Sequence, residues 1–211
     1  MKLPKFKIQV SSGYYFNLQY DTKSRWISYW YQISEVIKLQ PKSLLEIGVG
    51  NKTVSDYLRK IGINVKTCDF DKSLKPDVLA DILNLPFKKN SFDVVLCAEV
   101  LEHIPFENFS RALSNIHKVT KHYAVITLPS FSITSLYFGI KLIPFIPKKE
   151  ISIKVGYPLK HQFLGEHFWE IGKKGYPLSK IQKKIKEAGF KIKHYFYPLE
   201  NPKHNFFILE K

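Results

Sequence analysis

The stretch Leu44–Val54, LLEIGVGNKTV, decides the fold of this chain. An apolar run that contains one acid leads into two glycines, at positions 48 and 50, and then into the polar start of an amphipathic segment. Glycines at such a turn let the backbone bend tightly and approach a ligand closely. A dinucleotide fingerprint would require a third glycine at position 53, where this chain has Thr53. The turn therefore predicts a nucleotide-type site and leaves the nucleotide open.

Strand-like and helix-like segments alternate outward from this turn. We predict strands at residues 43–48, 64–70, 77–82, 92–100 and 123–129, and two more at 191–198 and 205–211. Helical spacing of apolar residues predicts helices over 24–39, 53–62, 109–116 and 179–188, the last with Ser179 as its N-cap. This alternation is typical of βαβ units around a parallel sheet. The expected fold class is α/β, an open, doubly wound, mostly parallel sheet of seven strands.

Acidic residues lie at or just after the ends of four predicted strands. The ligand crevice of a doubly wound sheet lies at the carboxyl ends of its strands, so these residues should converge on one site. They are Glu46, then Asp69 and Asp71, then Asp81, and finally Glu99 and Glu102 with the adjacent His103. A carboxylate after the second strand can accept hydrogen bonds from both hydroxyls of a ribose. Asp69, which lies 19 residues beyond Gly50, has the spacing expected of that role.

Three segments together resemble a known family. They are LLEIGVGN (44–51), VKTCDFD (65–71) and LADILNLPFKKNSFDVVLCAEVLEHIP (79–105). In this order they are similar to the class I S-adenosylmethionine-dependent methyltransferases, especially the group with an LPF…SFDVV…EVLEH pattern. The resemblance covers residues 43–128. It implies a Rossmann-like sheet with strand order 3-2-1-4-5-7-6 and an antiparallel last strand. It also implies S-adenosyl-L-methionine as cofactor and S-adenosyl-L-homocysteine as product.

The resemblance also assigns cofactor-binding positions residue by residue. They are Glu46, Gly48, Gly50, Asn51, Asp69, Asp71, Asp81, Ile82, Ala98, Glu99 and Val100. By this assignment the glycine turn approaches the methionine part, and Glu46 orders the turn and the cofactor's amino end. Asp69 holds the ribose, with Asp71 as the competitor for that role. Asp81 and Ile82 hold the adenine, and the segment after the fourth strand lies beside the sulfonium.

Methyl transfer from a sulfonium is an in-line displacement that depends chiefly on alignment of the reacting groups. It requires neither a metal nor a covalent intermediate, and the two cysteines lack metal-ligand spacing, so no metal is expected. A general base matters only for a protonated acceptor of high pKa. Glu102 and His103 are candidates, although LEH is so common in the family that a structural, helix-starting role is the alternative. His161 and His167 are further candidates.

We expect one domain over residues 1–211, in four consecutive parts. These are an N-terminal extension and helix (1–42), the cofactor-binding core (43–129), an insertion (130–176) and a C-terminal helix with two strands (177–211). The resemblance implies that the insertion is the substrate lid. For its aromatic residues Phe163, Phe168 and Trp169, two interpretations stay open: a small satellite core under the lid, or direct stacking on the substrate.

The net charge of +15 bears on the partners. Residues 141–211 carry 15 lysines against six acids, a surface suited to nucleic acid, anionic lipid or an acidic substrate, or simply a solvated face. We expect a small-molecule or lipid-like acceptor that is methylated on oxygen or nitrogen. The alternatives are an RNA-base methyltransferase and a non-catalytic nucleic-acid-binding module, although the Pro-Cys and NPPY-type signatures of RNA methylation are absent.

Two features bear on localisation. The N-terminal MKLPKFKIQV carries charge without a following apolar segment, so no signal peptide is evident and a cytoplasmic protein is expected. Residues 131–147 are apolar but interrupted by Lys141 and two prolines, and they are too short to span a membrane. They could lie on a membrane surface as a peripheral element.

Overall fold

The computed structural model describes residues 9–131, 134–140, 149–155 and 159–211, and for 134–140 and 149–155 it describes the backbone. The helices of these residues are α1 (Lys23–Lys38), α2 (Thr53–Lys60), α3 (Phe109–Val119) and α4 (Leu178–Glu187). The first strands are β1 (Ser43–Ile47), β2 (Asn64–Asp69), β3 (Val78–Leu79), β4 (Phe92–Ala98) and β5 (Thr120–Pro129). The others are β6 (Thr134–Ile140), β7 (Lys149–Val155), β8 (Lys191–Phe196) and β9 (His204–Glu210).

Seven strands form one sheet in the order β3-β2-β1-β4-β5-β9-β8. Strands β1 to β5 pair in parallel, and β9 pairs antiparallel with both β5 and β8. With β8 and β9 counted as the sixth and seventh strands, this is the order 3-2-1-4-5-7-6 with an antiparallel last strand. The predicted fold class is confirmed.

Helices cover both faces of the sheet. Successive side chains of a strand point to opposite faces, so Leu44 packs in one core cluster while its neighbour Leu45 packs in the other. The Leu44 cluster includes Val36 of α1 and Leu58 of α2, whereas the Leu45 cluster includes residues of α3 and α4. The result is a three-layer sandwich in which every strand of the seven-stranded sheet except the antiparallel β9 brings its carboxyl end to the same edge.

Two strands end earlier than the apolar pattern predicts. Strand β3 covers 78–79 rather than 77–82, because the Asp81 side chain accepts a hydrogen bond from Leu83 N at 2.9 Å and starts a single helical turn. Strand β4 stops at Ala98 because Glu99 takes a left-handed conformation, with φ of 53°. Both shortenings place a carboxylate at the point where the chain leaves the sheet.

The Ser179 N-cap prediction is wrong. Helix α4 begins at Leu178, and Pro177 occupies the N-cap position with extended backbone angles. The proline lacks an N–H and has a fixed φ, so it cannot continue a helix from upstream but can precede one. Ser179 therefore lies within the first turn of the helix.

The insertion contains a hairpin that the sequence pattern did not predict. Strands β6 and β7 pair antiparallel from Thr134 opposite Val155 to Ile140 opposite Lys149. Much of the predicted membrane-surface segment, 132–133 and 141–147, lies outside the described residues. Among the residues that are described, no helix has the length and apolar character to cross a membrane.

Candidate active site

A cavity of about 470 Å³ opens at the carboxyl ends of β1, β2 and β4. It is lined by all the positions that the family resemblance assigns to the cofactor: Glu46, Gly48, Gly50, Asn51, Asp69, Asp71, Asp81, Ile82, Ala98, Glu99 and Val100. These residues come from four separate stretches of the chain. The sheet topology brings them together, as the strand-end pattern predicts.

The glycine turn fits against the segment that follows β4. Gly48 has φ of 81°, and a Cβ atom built there would lie 2.3 Å from Val100 Cγ2. Only a residue without a side chain can occupy this position unless Val100 moves. A larger residue would also have to adopt a left-handed conformation, which is unfavourable for L-amino acids.

Asp69 holds the glycine turn in place. Its Oδ2 accepts a hydrogen bond from Val49 N at 3.0 Å, and its Oδ1 accepts one from Asp71 N at 2.8 Å. Burial raises the pKa of Asp69, and these backbone hydrogen bonds oppose the rise by stabilising the ionised form. The residue predicted to bind ribose thus also orders the backbone on both sides of the cavity.

Asp71 and Asp81 each keep one oxygen without a hydrogen-bond partner among the described residues. Asp71 Oδ1 accepts from Ser73 N at 2.8 Å and from its hydroxyl at 2.6 Å, and Asp81 Oδ1 accepts from Leu83 N. The Oδ2 atoms of both acids make no hydrogen bond within the described part of the chain. They are therefore the available acceptors for hydroxyl or amino groups of a nucleoside.

Glu46 is buried, and its Oε2 atom has no hydrogen-bond partner among the described residues. Burial raises the pKa of this carboxyl to about 8, so the folded chain keeps it protonated at neutral pH. The unfolded chain releases the same proton near the ordinary value of 4.5. Between these two pKa values the folded state binds more protons, so the free energy of unfolding falls as the pH rises.

We therefore expect Glu46→Gln to remove this pH dependence. Relative to the original chain, the variant should gain stability steadily as the pH rises from 4.5 to 8, because it carries no carboxyl to ionise on unfolding. Urea unfolding at several pH values across this interval measures the difference in free energy of unfolding between the variant and the original chain. Glu107→Gln, at an exposed position, is the matched control, and its difference in stability from the original chain should not increase with pH. Parallel curves for Glu46→Gln and the original chain would contradict the assigned pKa.

An aromatic N-terminal segment, residues 9–22, covers the cavity. Tyr14, Tyr15 and Tyr20 pack edge to face on one another with ring centroids 5.1 to 5.9 Å apart. A Cβ atom at Gly50 would lie 3.8 Å from Tyr15 Cδ1 and 3.9 Å from the Tyr20 hydroxyl, so these rings lie directly over the glycine turn. Burial raises the pKa of Tyr15, and the acids after β2 raise it further.

Residues of α1, β5 and β9 surround the acid after β4. Glu99 Oε1 accepts a hydrogen bond from the Thr127 hydroxyl at 2.8 Å, and Glu99 Oε2 lies 3.6 Å from His204 Nε2. The Arg25 guanidinium lies over the Tyr20 ring, 4.6 Å from its centroid. Arg25 and His204 line the cavity, and the motif pattern did not identify them because they lie far from the motifs in sequence.

The candidate bases divide into two groups. Glu102, His103 and His167 line the cavity, whereas His161 is not among the lining residues. Instead, His161 Nε2 lies 2.8 Å from the carbonyl oxygen of His167. Burial and the nearby Glu99 carboxylate hold the pKa of Glu102 well above its usual range. Burial and the neighbouring His167 lower the pKa of His103 to about 4, so His103 is neutral at pH 7.

Trp169 belongs to the main core rather than to a satellite core or a stacking surface. It is fully buried among residues of α3, and its indole N–H donates to Ile104 O at 3.1 Å. Phe163 and Phe168 stack on one another with centroids 4.5 Å apart, and Phe163 is 52% exposed. None of the three is among the residues that line the cavity.

Sequence comparisons find one family and one curated relative. A family model described as a methyltransferase domain matches residues 45–128. An uncharacterized protein of Methanocaldococcus jannaschii is 49% identical over 45 residues, which cover 21% of this chain and 19% of that protein. The match therefore spans only about a fifth of the curated relative.

Solved structures of similar fold cover nearly the whole chain. The 1,6-didemethyltoxoflavin-N1-methyltransferase of Burkholderia thailandensis, with 1,6-didemethyltoxoflavin and S-adenosylhomocysteine bound, has a TM-score of 0.63 at 11% identity, covering 94% of this chain and 84% of that one. An S-adenosylmethionine-dependent methyltransferase from Clostridium acetobutylicum has a TM-score of 0.60 at 12% identity, covering 93% and 95%. The magnesium protoporphyrin IX methyltransferase of Synechocystis, with S-adenosylhomocysteine bound, has a TM-score of 0.59 at 14% identity, covering 89% and 84%. Residues 45–128 thus match the methyltransferase domain family, and the chain has the fold of the class I S-adenosylmethionine-dependent methyltransferases.

Proposed function

We propose that this chain is an S-adenosyl-L-methionine-dependent methyltransferase that methylates an oxygen or nitrogen atom of a small-molecule or lipid-like acceptor. The observation that carries the proposal is the convergence of every position assigned to the cofactor on one cavity. The family match over residues 45–128 supports the same activity. Proteins of similar fold solved with S-adenosylhomocysteine or S-adenosylmethionine bound support the choice of cofactor.

The free acceptor atoms of the cavity suit a sulfonium nucleoside. In this proposal the unpartnered Oε2 of Glu46 accepts from the cofactor's amino group. The ribose hydroxyls donate to Asp71 Oδ2 and share the carboxylate of Asp69. The exocyclic amine of adenine donates to Asp81 Oδ2, and the buried Ile82 packs on the ring. Each of these groups offers what the corresponding part of the cofactor needs.

The reaction would be a single displacement. A lone pair of the acceptor forms the new bond to the methyl carbon as the sulfur–carbon bond breaks, and the sulfonium leaves as a neutral thioether. Alignment of the reacting groups supplies several kcal/mol of the lowered barrier, on the order of 7 or more in the best cases. If the acceptor atom carries a proton, a residue of the cavity must accept it. The candidates that line the cavity are Glu102, His103 and His167.

Gly48→Ala tests the cofactor site. Because the added Cβ would lie 2.3 Å from Val100 Cγ2, the turn must shift, and we expect S-adenosylhomocysteine to bind at least about tenfold more weakly. Gly62→Ala is the matched control, because Gly62 also has a left-handed φ, of 93°, but meets no atom within 4 Å. Isothermal titration calorimetry measures both affinities. A wild-type chain that binds neither cofactor nor product would overturn the proposed function.

The acceptor can be identified by a methyl-transfer screen. Labelled S-adenosylmethionine is incubated with the protein and with metabolite, lipid and RNA fractions, and the labelled fraction is identified. Label in the metabolite or lipid fraction supports the proposal. Label in RNA would favour the nucleic-acid alternative, although the exposed lysines Lys183, Lys186 and Lys193 of α4 and β8 are not among the residues that line the cavity.

The division of the chain into extension, core, lid and C-terminal part remains a proposal, as does a peripheral membrane contact through residues 131–147. Deleting residues 132–147 and joining the ends with a short glycine-serine linker tests both. We expect liposome binding to fall while binding of S-adenosylhomocysteine persists, since this stretch contributes none of the assigned cofactor residues. Unchanged flotation of the shortened chain with anionic vesicles would contradict the membrane contact.

A further inference from the structure

Two histidines and a glutamate lie close together at the cavity, but their side chains do not hydrogen-bond to one another. Glu102, His103 and His167 each offer one ligand atom, and the three atoms lie within 4.8 Å of one another. Glu102 Oε1 lies 3.9 Å from His103 Nε2, which is too far for a hydrogen bond. Ligand atoms around one divalent ion lie about 3 Å apart, so a closure of about 1 to 2 Å shared among the side chains brings all three onto one ion.

Among the described residues, His103 at 3.9 Å is the only basic side chain within 4 Å of the Glu102 carboxyl group. Glu102 is fully buried, and neither of its oxygens has a hydrogen-bond partner among the described residues. Burying a carboxyl group without a partner is costly, and such groups in native proteins are usually paired or bind a metal. Glu102 is one of the residues that line the cavity.

The two imidazoles are already oriented as metal ligands. His103 Nδ1 lies 2.6 Å from Gln9 Oε1 and 3.1 Å from the carbonyl oxygen of Glu166. Both partners accept hydrogen bonds, so Nδ1 carries the proton and Nε2, which faces Glu102, keeps a free lone pair. His167 Nδ1 lies 2.9 Å from Glu170 Oε1, which leaves its Nε2 free in the same way.

Support of this kind is typical of metal sites. Histidines that bind a metal donate their second N–H to a carboxylate or carbonyl oxygen, which fixes the ring and its tautomer. The backbone adds a further restraint, because Phe168 N donates to Glu102 O at 2.8 Å and so holds the segment after His167 beside the glutamate. The three ligands therefore lie on two chain segments that are fixed to each other.

We propose that Glu102, His103 and His167 form a binding site for a divalent transition-metal ion. Two imidazoles and one carboxylate favour ions such as Zn²⁺, Co²⁺ or Fe²⁺ over Mg²⁺ and Ca²⁺, which prefer oxygen ligands. Three protein ligands leave coordination positions open, and the cavity is the space into which they open. The proposal departs from the expectation, drawn from the sequence, that no metal is needed.

If the chain is a methyltransferase as proposed above, the metal site favours one class of methyl acceptor, molecules that carry a hydroxyl group. An ion at an open position binds an oxygen of the acceptor and lowers the pKa of a bound hydroxyl. The hydroxyl proton leaves to solvent, the oxygen–carbon bond forms, and the sulfur–carbon bond of the cofactor breaks to give the neutral thioether. The acceptor is then a hydroxyl-bearing molecule methylated on oxygen.

Metal binding is tested on tag-free protein that has been treated with chelator and dialysed. Zn²⁺ is titrated by calorimetry, and Co²⁺ is followed by its visible absorption, which reports ligand number and geometry. We expect a single equivalent with a Kd of about 1 µM or tighter. Glu102→Gln and His167→Gln should each weaken binding at least about tenfold, and Glu170→Gln, which touches His167 rather than the ion, should also weaken it about tenfold.

The control is His194→Gln, an exposed histidine on β8 that is not among the cavity residues. Circular dichroism and thermal unfolding verify that each variant is folded. The proposal would be overturned if Glu102→Gln and His167→Gln bound the metal as tightly as the wild type. It would also be overturned if the wild type bound no stoichiometric metal. The metal titrations contain no cofactor, and S-adenosylhomocysteine is titrated with chelator present, so failure of the metal site and failure of the cofactor site give separate results.

Discussion

Asp69→Asn should weaken binding of S-adenosylhomocysteine about 100-fold and lower the free energy of unfolding by about 2 to 4 kcal/mol. The aspartate accepts hydrogen bonds from the backbone N–H groups of Val49 and Asp71 on its two oxygens. Asparagine has one oxygen and one NH₂ group, so one buried N–H then faces another donor. Hydrogen bonds to a charged group are worth about 1.5 to 3 kcal/mol, and a buried donor left unpaired costs about as much.

The effect on binding follows from the effect on the turn. Val49 lies between the two glycines, so a backbone that moves there displaces the surface that the cofactor contacts. Urea unfolding and calorimetric titration measure the two losses. Asp56→Asn is the matched control: it makes the same chemical change on the exposed face of α2, where the ion pair with Arg59 is worth at most about 1 kcal/mol. Full cofactor affinity in folded Asp69→Asn would contradict the link between the turn and the site.

The core of the fold could be predicted because its signals are local. Strands β1, β4 and β5 contain apolar runs, and the cofactor positions lie at or just after the ends of β1 to β4. Parallel strands bring such positions to one edge whatever the connections between them, so the strand-end acids Asp69 and Asp81 could be assigned to one site before the structure was known. The positions of Gly48 and Val100 against each other follow from the same topology.

Features that depend on contacts between distant segments could not be predicted. The N-terminal segment carries no periodicity, and only the packing of Tyr15 and Tyr20 over Gly50 reveals that it covers the cavity. Arg25 and His204 lie near Glu99 although each is more than 70 residues from it in the chain. The His103 and His167 pair is separated by 63 intervening residues, and neither the spacing nor the residue types identify it as a pair.

In the insertion, composition alone led to the wrong expectation for one residue, Trp169. The insertion's density of aromatic residues favoured a substrate-contacting lid or a satellite core, and composition cannot distinguish these from a main-core position. Trp169 occupies a main-core position, because it packs edge-on against both Phe106 and Phe109 with ring centroids 5.1 and 4.9 Å away. The end of the insertion is therefore part of the body of the domain.

Trp169→Ala should cause the largest loss of stability, about 3 to 5 kcal/mol of the free energy of unfolding. The side chain is fully buried, so its removal leaves a cavity lined by Phe106, Phe109 and Tyr176. It also leaves the carbonyl oxygen of Ile104 without the indole N–H that it accepts at 3.1 Å. Urea unfolding followed by circular dichroism measures the loss.

Two variants separate packing from hydrogen bonding at this position. Trp169→Phe keeps a ring against Phe106 but removes the indole N–H, and should cost about 1 to 3 kcal/mol. Trp30→Ala, at a tryptophan of α1 that is 61% exposed, should change stability by about 0.5 kcal/mol or less. Since Trp169 fixes the segment that carries His167, the alanine variant should also lose the metal affinity proposed for Glu102 and the two histidines, at temperatures where it is still folded. A loss of stability no larger than that of Trp30→Ala would contradict the placement of Trp169 in the main core.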